Sequence, residues 1–302
     1  MNRIASRTLA LILIVALLMG GFVFFLVEYF TKGADWVVFP GSPHVYNGGN
    51  IGCGVVVDRD NTLLLDLTDG RAYSDSLALR RATVHWLGDR FGSISAPALS
   101  NYASQMVGFD FFNGIYSYGQ TGGVAELTLS AAVQTAALEA LGEQKGTVAV
   151  FNYKTGQLIC AVTTPTYDPD NVPNFPEDDP AFEGLYVNRF TQSAYTPGSI
   201  FKIVTLAAAL EEDPDTVNKT FSCAGSYPIG NEAITCEEIH GEQSLKQAFC
   251  NSCNCAFAQL ALDLGAEKLN AYVEKFGVAK SVTFDGVTTV AGNFQAGYHR
   301  PR

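Results

Sequence analysis

The chain has 302 residues, of which 47% are apolar and 16% charged, and its formal net charge is −11 at pH 7. This length allows one large domain or two modest ones, and the apolar fraction is enough for a sizeable core. The acidic balance argues against a nucleic acid as the partner. No Walker loop, HExxH motif or GxGxxG fingerprint stands where its mechanism requires it, which excludes the corresponding nucleotide-binding and metalloprotease classes.

The N-terminus contains an uncharged apolar segment, Thr8 to Val27, which is long enough to span a bilayer. We therefore predict a transmembrane anchor over residues 8–30. Arg3 and Arg7 precede the segment, so the positive-inside bias places residues 1–7 in the cytoplasm and the remainder outside. A cleaved signal peptide is the alternative. It is disfavoured because the apolar stretch is long and no small-x-small site follows it closely.

Residues 31–123 read as a small N-terminal module of short mixed elements, including a helix over 76–91. A second domain is predicted over residues 124–302. Its first elements are a helix over 127–141 and a β-hairpin whose strands are 146–151 and 158–163. Helices mixed with an antiparallel hairpin predict an α+β fold.

The run from Thr196 to Lys202 (T-P-G-S-I-F-K) places a serine hydroxyl and a lysine amine three residues apart. Groups at this spacing share one face of a helix. The following residues are apolar up to Leu210, so we expect a helix that is buried on all sides. Burial lowers the pKa of a lysine, and such a lysine activates a neighbouring serine as a nucleophile. Ser199 and Lys202 are therefore candidate catalytic residues.

The alternative for this run is a core helix whose lysine extends to the surface. Pro197 and Gly198 favour the catalytic interpretation because they suit a turn that leads into a helix. Such a turn places Ser199 at the helix N-terminus, where the helix dipole favours a developing negative charge.

The chain has seven cysteines, and an exported location permits disulfides. Cys223 and Cys236 flank a loop that contains Gly and Pro, and they form the favoured pair. Cys250, Cys253 and Cys255 follow each other closely, but C-x2-C-x-C without a nearby histidine is a poor zinc pattern. We expect small buried hydrophobic side chains there rather than a metal site, and we expect no cofactor.

Ser252-Cys253-Asn254 stands between two predicted helices, 244–249 and 256–264. A loop between helices could direct a hydroxyl and an amide into a cleft, although helix capping is the default role of S-x-N alone. An S-x-x-K motif followed by an S-x-N motif is typical of penicillin-binding proteins and serine β-lactamases.

Several further blocks carry this resemblance over about residues 124–290. They are Leu127-Thr128-Leu129 with Gln134, Lys145-Gly146, Thr155-Gly156-Gln157-Leu158-Ile159, Pro165 with Asp168-Pro169, Asn188-Arg189, and His240-Gly241. Asp58-Arg59-Asp60-Asn61 also resembles an element in the N-terminal module of class B enzymes. The chain resembles a class B penicillin-binding protein, a monofunctional D,D-transpeptidase.

The resemblance implies a transpeptidase fold of the penicillin-binding-protein and serine β-lactamase type, and acyl transfer on peptidoglycan stem peptides. Ser199 would attack the penultimate D-Ala carbonyl, and Lys202 would act as general base. Ser252 would relay protons to the leaving amine, and Asn254 would hydrogen-bond the substrate amide. It further implies inhibition by β-lactams, a single-pass protein of the bacterial plasma membrane, and a glycan polymerase as partner.

The third motif of the family, K-T-G on a strand, does not follow Asn254. The K-T-G that the chain contains, Lys154 to Gly156, falls in the predicted hairpin turn. We therefore expect a C-terminally truncated transpeptidase domain whose activity as written is in doubt. Two alternatives are a non-catalytic module (a β-lactam sensor or a cell-wall scaffold) and a secreted β-lactamase; the predicted anchor disfavours the latter.

Overall fold

The computed structural model describes residues 2–38, 46–47, 50–108, 122–176, 179–294 and 296 of the chain. The chain divides into two compact units, Met1–Phe190 with Asp285–Val287, and Thr191–Phe284 with Thr288–Arg302. Each unit combines helices with short, mostly antiparallel strands. The predicted α+β class is confirmed.

The first helix, α1, extends over Asn2–Val37 and is about 54 Å long at 1.5 Å per residue. Within it, Arg7–Trp36 has a mean hydropathy of 3.0 and is long and apolar enough to cross a membrane. The predicted apolar helix is thus confirmed, and it continues beyond residues 8–30. Glu28 and Lys32 lie one turn apart on it and form an ion pair of 3.0 Å, which suits a helix that continues past the uncharged segment.

The elements of the first unit after α1 are β1 (Tyr46–Asn47), β2 (Asn50–Ile51), β3 (Val55–Val57), β4 (Leu63–Asp66), β5 (Ala72–Tyr73), α2 (Leu77–Leu87), α3 (Pro97–Asn101), α4 (Ala103–Val107), β6 (Val124–Glu126), α5 (Ala131–Leu141), β7 (Gly146–Phe151), β8 (Leu158–Thr164) and α6 (Arg189–Gln192, whose last two residues belong to the second unit). Four of these strands form a sheet of order β5-β4-β3-β6, in which β3 pairs antiparallel to β4 and parallel to β6. The predicted domain boundary at 124 falls on β6, inside this unit.

Asp58 explains both the predicted polar turn and the start of α5. Its Oδ1 accepts the backbone N–H groups of Asp60 and Thr62, at 2.9 and 2.7 Å. Its Oδ2 accepts the N–H of Ala131 at 2.8 Å, so the buried carboxylate satisfies a donor in the first turn of α5. The helix predicted from residue 127 therefore begins at Ala131.

The predicted hairpin is formed by β7 and β8, which pair antiparallel. The Lys-Thr-Gly sequence lies in its turn, where Asn152 Oδ1 accepts the N–H groups of Lys154 and Thr155 at 3.0 and 3.3 Å. This is the ordinary geometry of an Asx turn. The structural interpretation of Lys154 to Gly156 is confirmed.

In the second unit α7 and α9 pack together around two buried apolar clusters. Beside them lie two antiparallel strand pairs, β9 with β12 and β10 with β11. The elements are a 3₁₀ helix (Gly198–Phe201), α7 (Lys202–Glu212), β9 (Thr220–Cys223), β10 (Ser226–Ile229), β11 (Glu232–Thr235), β12 (Gly241–Ser244), α8 (Leu245–Cys250), α9 (Asn254–Lys275), β13 (Thr283–Phe284) and β14 (Val287–Thr288, whose first residue belongs to the first unit). Further 3₁₀ helices lie at Pro180–Phe182, in the first unit, and at Pro214–Asn218.

Candidate active site

Ser199 lies in a tight turn immediately before α7. Pro197 has the φ of −68° that its ring imposes, and Gly198 takes the left-handed φ of +56°. A 3₁₀ helix then covers Gly198–Phe201, and the α-helix begins at Lys202. The predicted turn into a helix is therefore present, and it leaves Ser199 exposed in front of the first turn of α7.

The prediction that this helix is buried on all sides is wrong. Ile200 and Ile203 are 69% and 51% exposed. The buried face carries Lys202, Val204 and Ala208, at spacings of two and four residues. The helix is therefore one-sided, and the lysine belongs to its buried side although its neighbours in sequence do not.

The amine of Lys202 lies among four oxygen atoms of the same unit. Its Nζ is 3.1 Å from Ser199 Oγ, 2.9 Å from Ser252 Oγ, 2.6 Å from the Ser252 carbonyl oxygen and 2.7 Å from Asn254 Oδ1. The ring of Phe257 lies beneath it at 5.8 Å. The structure thus places the other three predicted site residues, Ser199, Ser252 and Asn254, around the amine of Lys202.

The types of these oxygens decide how a neutral Lys202 would be bonded. The Ser252 carbonyl and the Asn254 Oδ1 are acceptors only, so they take two N–H bonds from the amine. The two hydroxyls can also donate, so the remaining lone pair of a neutral amine can accept the Ser199 proton across the 3.1 Å contact. The geometry suits proton transfer from Ser199 to Lys202.

Burial lowers the pKa of Lys202 below its ordinary value, which favours the neutral amine. The nearby groups Cys236, Cys253 and Glu237 act in the opposite direction and are the smaller influence. The direction is that required of a general base at neutral pH.

The loop between α8 and α9 positions the other two residues. Ser252 takes the left-handed conformation, with a φ of +51°, which is uncommon for a residue that has a Cβ. The N–H groups of Ser252 and Cys253 bond back to the carbonyls of Phe249 and Ala248, at 3.1 and 2.9 Å. The helix-capping role considered for S-x-N belongs to Cys253, whose Sγ accepts the N–H of Ala256 at 3.4 Å.

The amide of Asn254 is held at both ends. Its Oδ1 faces Lys202, and its Nδ2 donates to the Thr235 carbonyl at the end of β11 at 3.0 Å. An amide keeps one further N–H and one further lone pair after these two bonds. The predicted contact of Asn254 with a substrate amide therefore remains compatible with the structure. In addition, Asn254 positions the amine of Lys202.

A cluster of thiols lies beside this loop and was missed in the sequence. Cys223, Cys236, His240 and Cys253 place one ligand atom each within 4.8 Å of one another. The favoured disulfide between Cys223 and Cys236 is wrong, because both are free thiols. The sequence signal for this group is Cys236-x3-His240, where a thiol and an imidazole stand four residues apart, rather than the Cys250 to Cys255 segment alone.

Two further residues of the resemblance have structural roles in the first unit. Asn188 donates from Nδ2 to the His85 carbonyl at 3.3 Å. Arg189 donates to the carbonyls of Thr164 and Glu183, at 2.9 and 2.7 Å. These bonds fix the start of α6 to neighbouring backbone carbonyls of the first unit.

On an α+β fold, the structure places a serine, a buried lysine and an S-x-N motif around one amine, which is the arrangement that the resemblance implies for a penicillin-binding transpeptidase domain. Residues 146–298 match the family described as penicillin binding protein transpeptidase domain. This match covers half of the chain, and the chain belongs to that family. The resemblance stated from the motifs is confirmed.

The curated relatives include proteins named as peptidoglycan D,D-transpeptidases and one protein named for a stage of sporulation. Peptidoglycan D,D-transpeptidase PbpA of Mycolicibacterium smegmatis is 32% identical in an alignment of 192 residues that covers 56% of this chain and 38% of the relative. Stage V sporulation protein D of Bacillus subtilis is 31% identical in an alignment of 230 residues that covers 75% of this chain and 33% of the relative. The chain thus spans 38% and 33% of the length of these two relatives.

Solved structures share the fold. The D,D-transpeptidase domain of a peptidoglycan glycosyltransferase from Eggerthella lenta has a TM-score of 0.64 and 28% identity, over 80% of this chain and 57% of that one. The penicillin G acyl-enzyme complex of penicillin-binding protein A from Mycobacterium tuberculosis has a TM-score of 0.58 and 26% identity, over 75% and 59%. The predicted fold of the penicillin-binding-protein type is confirmed.

Proposed function

We propose that this protein is a class B penicillin-binding protein, a D,D-transpeptidase that cross-links peptidoglycan stem peptides through a serine acyl-enzyme. The observation that carries the proposal is the 3.1 Å contact of Lys202 Nζ with Ser199 Oγ, on an amine whose other N–H groups face fixed carbonyl oxygens. The names of the curated relatives and the acyl-enzyme complexes of the similar structures support the same reaction.

Acylation starts with Ser199. Its hydroxyl proton passes to Lys202 Nζ as Oγ forms a bond to the carbonyl carbon of the penultimate D-Ala. The oxyanion of the tetrahedral intermediate lies near the 3₁₀ turn that precedes α7, at the positive end of the helix dipole. The backbone N–H of Ser199 supplies one donor, and a donor of this kind contributes about 3 kcal/mol to transition-state stabilisation.

Collapse of the intermediate breaks the bond to the terminal D-Ala. The leaving nitrogen takes a proton from Ser252, whose hydroxyl lies 2.9 Å from Lys202 Nζ and is reprotonated by that amine. The acyl-enzyme on Ser199 remains. The amine of a second stem peptide then attacks the ester carbonyl and forms the cross-link, and its proton returns Ser199 to the hydroxyl form through the same groups.

We further propose the arrangement predicted from the sequence for the whole chain. Residues 1–7 lie in the cytoplasm, 8–30 anchor the chain in the bacterial plasma membrane, 31–123 form an N-terminal module, and 124–302 belong to an extracytoplasmic transpeptidase domain. Support comes from the single apolar helix α1, long enough to span a bilayer, in the described part of the chain. A membrane-bound glycan polymerase that supplies nascent strands is the expected partner.

Covalent labelling by a fluorescent penicillin tests the reaction. The protein is produced from its own gene in membranes, so that any sequence encoded beyond residue 302 is included. We expect a labelled band that Ser199→Ala abolishes and Lys202→Ala weakens by about two orders of magnitude or more, since a general base contributes on the order of 10²–10⁴.

The matched control is Ser226→Ala, which removes an exposed hydroxyl from β10 of the same unit. This variant should label as the unaltered protein does. Labelling that persists in Ser199→Ala would remove Ser199 as the nucleophile. A folded protein that takes no label would leave the non-catalytic module, a sensor or scaffold, as the function.

A further inference from the structure

The second unit contains a compact group of soft metal-ligand atoms outside the described proton-transfer chain. Cys223 ends β9, Cys236 follows β11, His240 precedes β12, and Cys253 caps α9. Their Sγ atoms and one imidazole nitrogen lie within 4.8 Å of one another. Cys223 and Cys253 are buried, and Cys236 and His240 are half-buried. Three separate segments of the chain therefore bring four ligand atoms close together.

Three of the six distances within the group are close to those of a tetrahedral metal shell. A zinc ion with Zn–S bonds of about 2.3 Å and a Zn–N bond of about 2.05 Å sets neighbouring S···S at about 3.8 Å and N···S at about 3.5 Å. In the structure, His240 Nδ1 is 3.5 Å from the Sγ atoms of both Cys223 and Cys236. The Sγ atoms of Cys236 and Cys253 are 3.9 Å apart. Ordinary weak thiol contacts do not require such equal spacing.

We propose that Cys223, Cys236, His240 and Cys253 bind one zinc ion as a structural Cys3His site. Each thiol gives up its proton to solvent and binds as a thiolate, and His240 binds through Nδ1 with its other nitrogen protonated. The shell then has four protein ligands, which is the closed form of a structural rather than a catalytic zinc site.

Backbone donors around the sulfurs support this assignment. The N–H of Asn254 points to Cys236 Sγ at 3.3 Å, and the N–H of Ala256 points to Cys253 Sγ at 3.4 Å. Hydrogen bonds to ligand sulfurs orient them and stabilise the thiolates, as outer-shell partners do in metal sites. The first of these bonds connects the zinc ligand Cys236 directly to a residue of the proposed active site.

The β10–β11 hairpin, which Cys236 directly follows, has little apolar core of its own. All four residues of β11 are exposed, and β10 alternates between exposed and half-buried side chains. A two-stranded hairpin is at best marginally stable alone in water, and small elements of this kind are commonly held by a metal. The ion would fix the end of β11 against the start of α9.

The site has a consequence for catalysis, and this part rests on the proposed function. Cys253 stands between Ser252 and Asn254, and the Thr235 carbonyl before Cys236 holds the Asn254 amide at 3.0 Å. A metal bound to Cys236 and Cys253 therefore clamps the S-x-N loop from both sides. It acts as a positioning element and does not touch the substrate.

Metal analysis of the purified protein tests the site independently of activity. We expect about one zinc per chain, and X-ray absorption at the zinc edge should give three sulfurs near 2.3 Å and one nitrogen near 2.0 Å. His240→Ala removes a half-buried ligand and should bring the zinc content to below a tenth of that value. Cys223→Ser should do the same, and Cys250→Ser, which alters an exposed cysteine outside the group, should retain the full zinc content.

Several outcomes would overturn the site. They are protein that takes up no added Zn²⁺ in its reduced form, a disulfide among Cys223, Cys236 and Cys253 in protein isolated from cells, and equal zinc loss in Cys250→Ser.

Penicillin labelling is then measured on the same samples. If His240→Ala remains folded and is labelled about tenfold or more slowly, the positioning role is supported. If His240→Ala loses zinc and its labelling rate does not change, the positioning role is rejected. Zinc bound by a protein that takes no label would reject the proposed function and leave the site standing.

Discussion

The side-chain oxygen of Asn254 lies 2.7 Å from the amine of Lys202, and the nitrogen of the same amide is held by the Thr235 carbonyl at 3.0 Å. The second bond fixes which end of the amide faces the lysine. Asn254 therefore orients the amine with an uncharged acceptor. Such an acceptor adds no negative charge that would raise the pKa of Lys202. A carboxylate at the same position would favour the ammonium form instead.

Asn254→Asp should raise the pKa of Lys202 and move the ascending limb of the acylation pH profile to higher pH by about one unit or more. At neutral pH the labelling rate should fall by about tenfold or more, and it should recover as the pH is raised. Asn251→Asp is the matched control, because it adds the same charge to the same loop at a residue whose amide contacts Gln243. An unshifted profile in Asn254→Asp would contradict the contact with Lys202.

The pH profile of the unaltered protein depends on the same amine. Burial lowers the pKa of Lys202, so the rate of acylation should rise with pH and level off below 10.5, the ordinary lysine value. Glu237 acts to raise this pKa, so Glu237→Gln should move the inflection slightly further down, and added salt should reduce the difference. An inflection at or above 10.5 would show that the amine is not desolvated in solution.

The sequence was sufficient to predict the local part of this site. Ser199 and Lys202 meet because residues three apart share one face of a helical turn, and Pro197-Gly198 marks where that turn begins. The hairpin of β7 and β8 followed from the composition of the two strands and the turn residues between them.

The long-range part could not be predicted in the same way. Cys223 and Cys236 approach His240 and Cys253 because β9 pairs with β12 and β10 pairs with β11. These strands are short, and β11 is exposed along its whole length, so no hydrophobic pattern in the sequence specifies which strands pair. Ile203 is apolar yet 51% exposed, so apolar content alone assigned the wrong faces to α7. The strand pairing and the exposed face both depend on tertiary neighbours, which periodicity does not report.

Ser252 combines a functional hydroxyl with a strained backbone, and two substitutions separate these effects. Ser252→Ala removes the hydroxyl 2.9 Å from Lys202 and keeps a Cβ at a φ of +51°. Ser252→Gly removes the hydroxyl and relieves the backbone, so it should be the more stable of the two by about 1 kcal/mol. Both should label at least about a hundredfold more slowly, since each lacks the proton relay. Normal labelling in Ser252→Gly would assign the residue a purely structural role.

His85 should make the first unit sensitive to mild acid. Burial lowers its pKa to about 4, with a smaller contribution from the charge of Arg189, while a bond from Nε2 to the Leu185 carbonyl opposes the shift. Its Nδ1 is buried without a hydrogen-bond partner among the described residues. The unfolded chain binds a proton near 6.5 and the folded chain does not, so stability is full above that pH and falls as the pH drops towards 4.

The expected loss at pH 5 is about 2 kcal/mol relative to neutral pH, measured as the change in the urea midpoint. Carboxylates titrate in the same range, so the comparison is with His85→Phe, which should differ from the unaltered protein by a pH-dependent amount of this size. A constant difference between the two proteins from pH 7.5 to pH 5 would show that His85 keeps an ordinary pKa.

Gly198 sets the direction of Ser199 by its left-handed backbone, and a matched glycine elsewhere in the unit isolates this effect. A Cβ at Gly198 would meet nothing within 4 Å, so Gly198→Ala costs only the strain of a φ of +56°, about 1 kcal/mol. Gly230, in the turn between β10 and β11, has a φ of +61° and equally open surroundings. Gly198→Ala and Gly230→Ala should therefore lower stability by similar amounts.

Only Gly198→Ala should also slow penicillin labelling, by about tenfold or more, because a shift of about 1 Å at the nucleophile is costly to the rate. Equal labelling rates in the two variants would mean that the turn tolerates a side chain without moving Ser199.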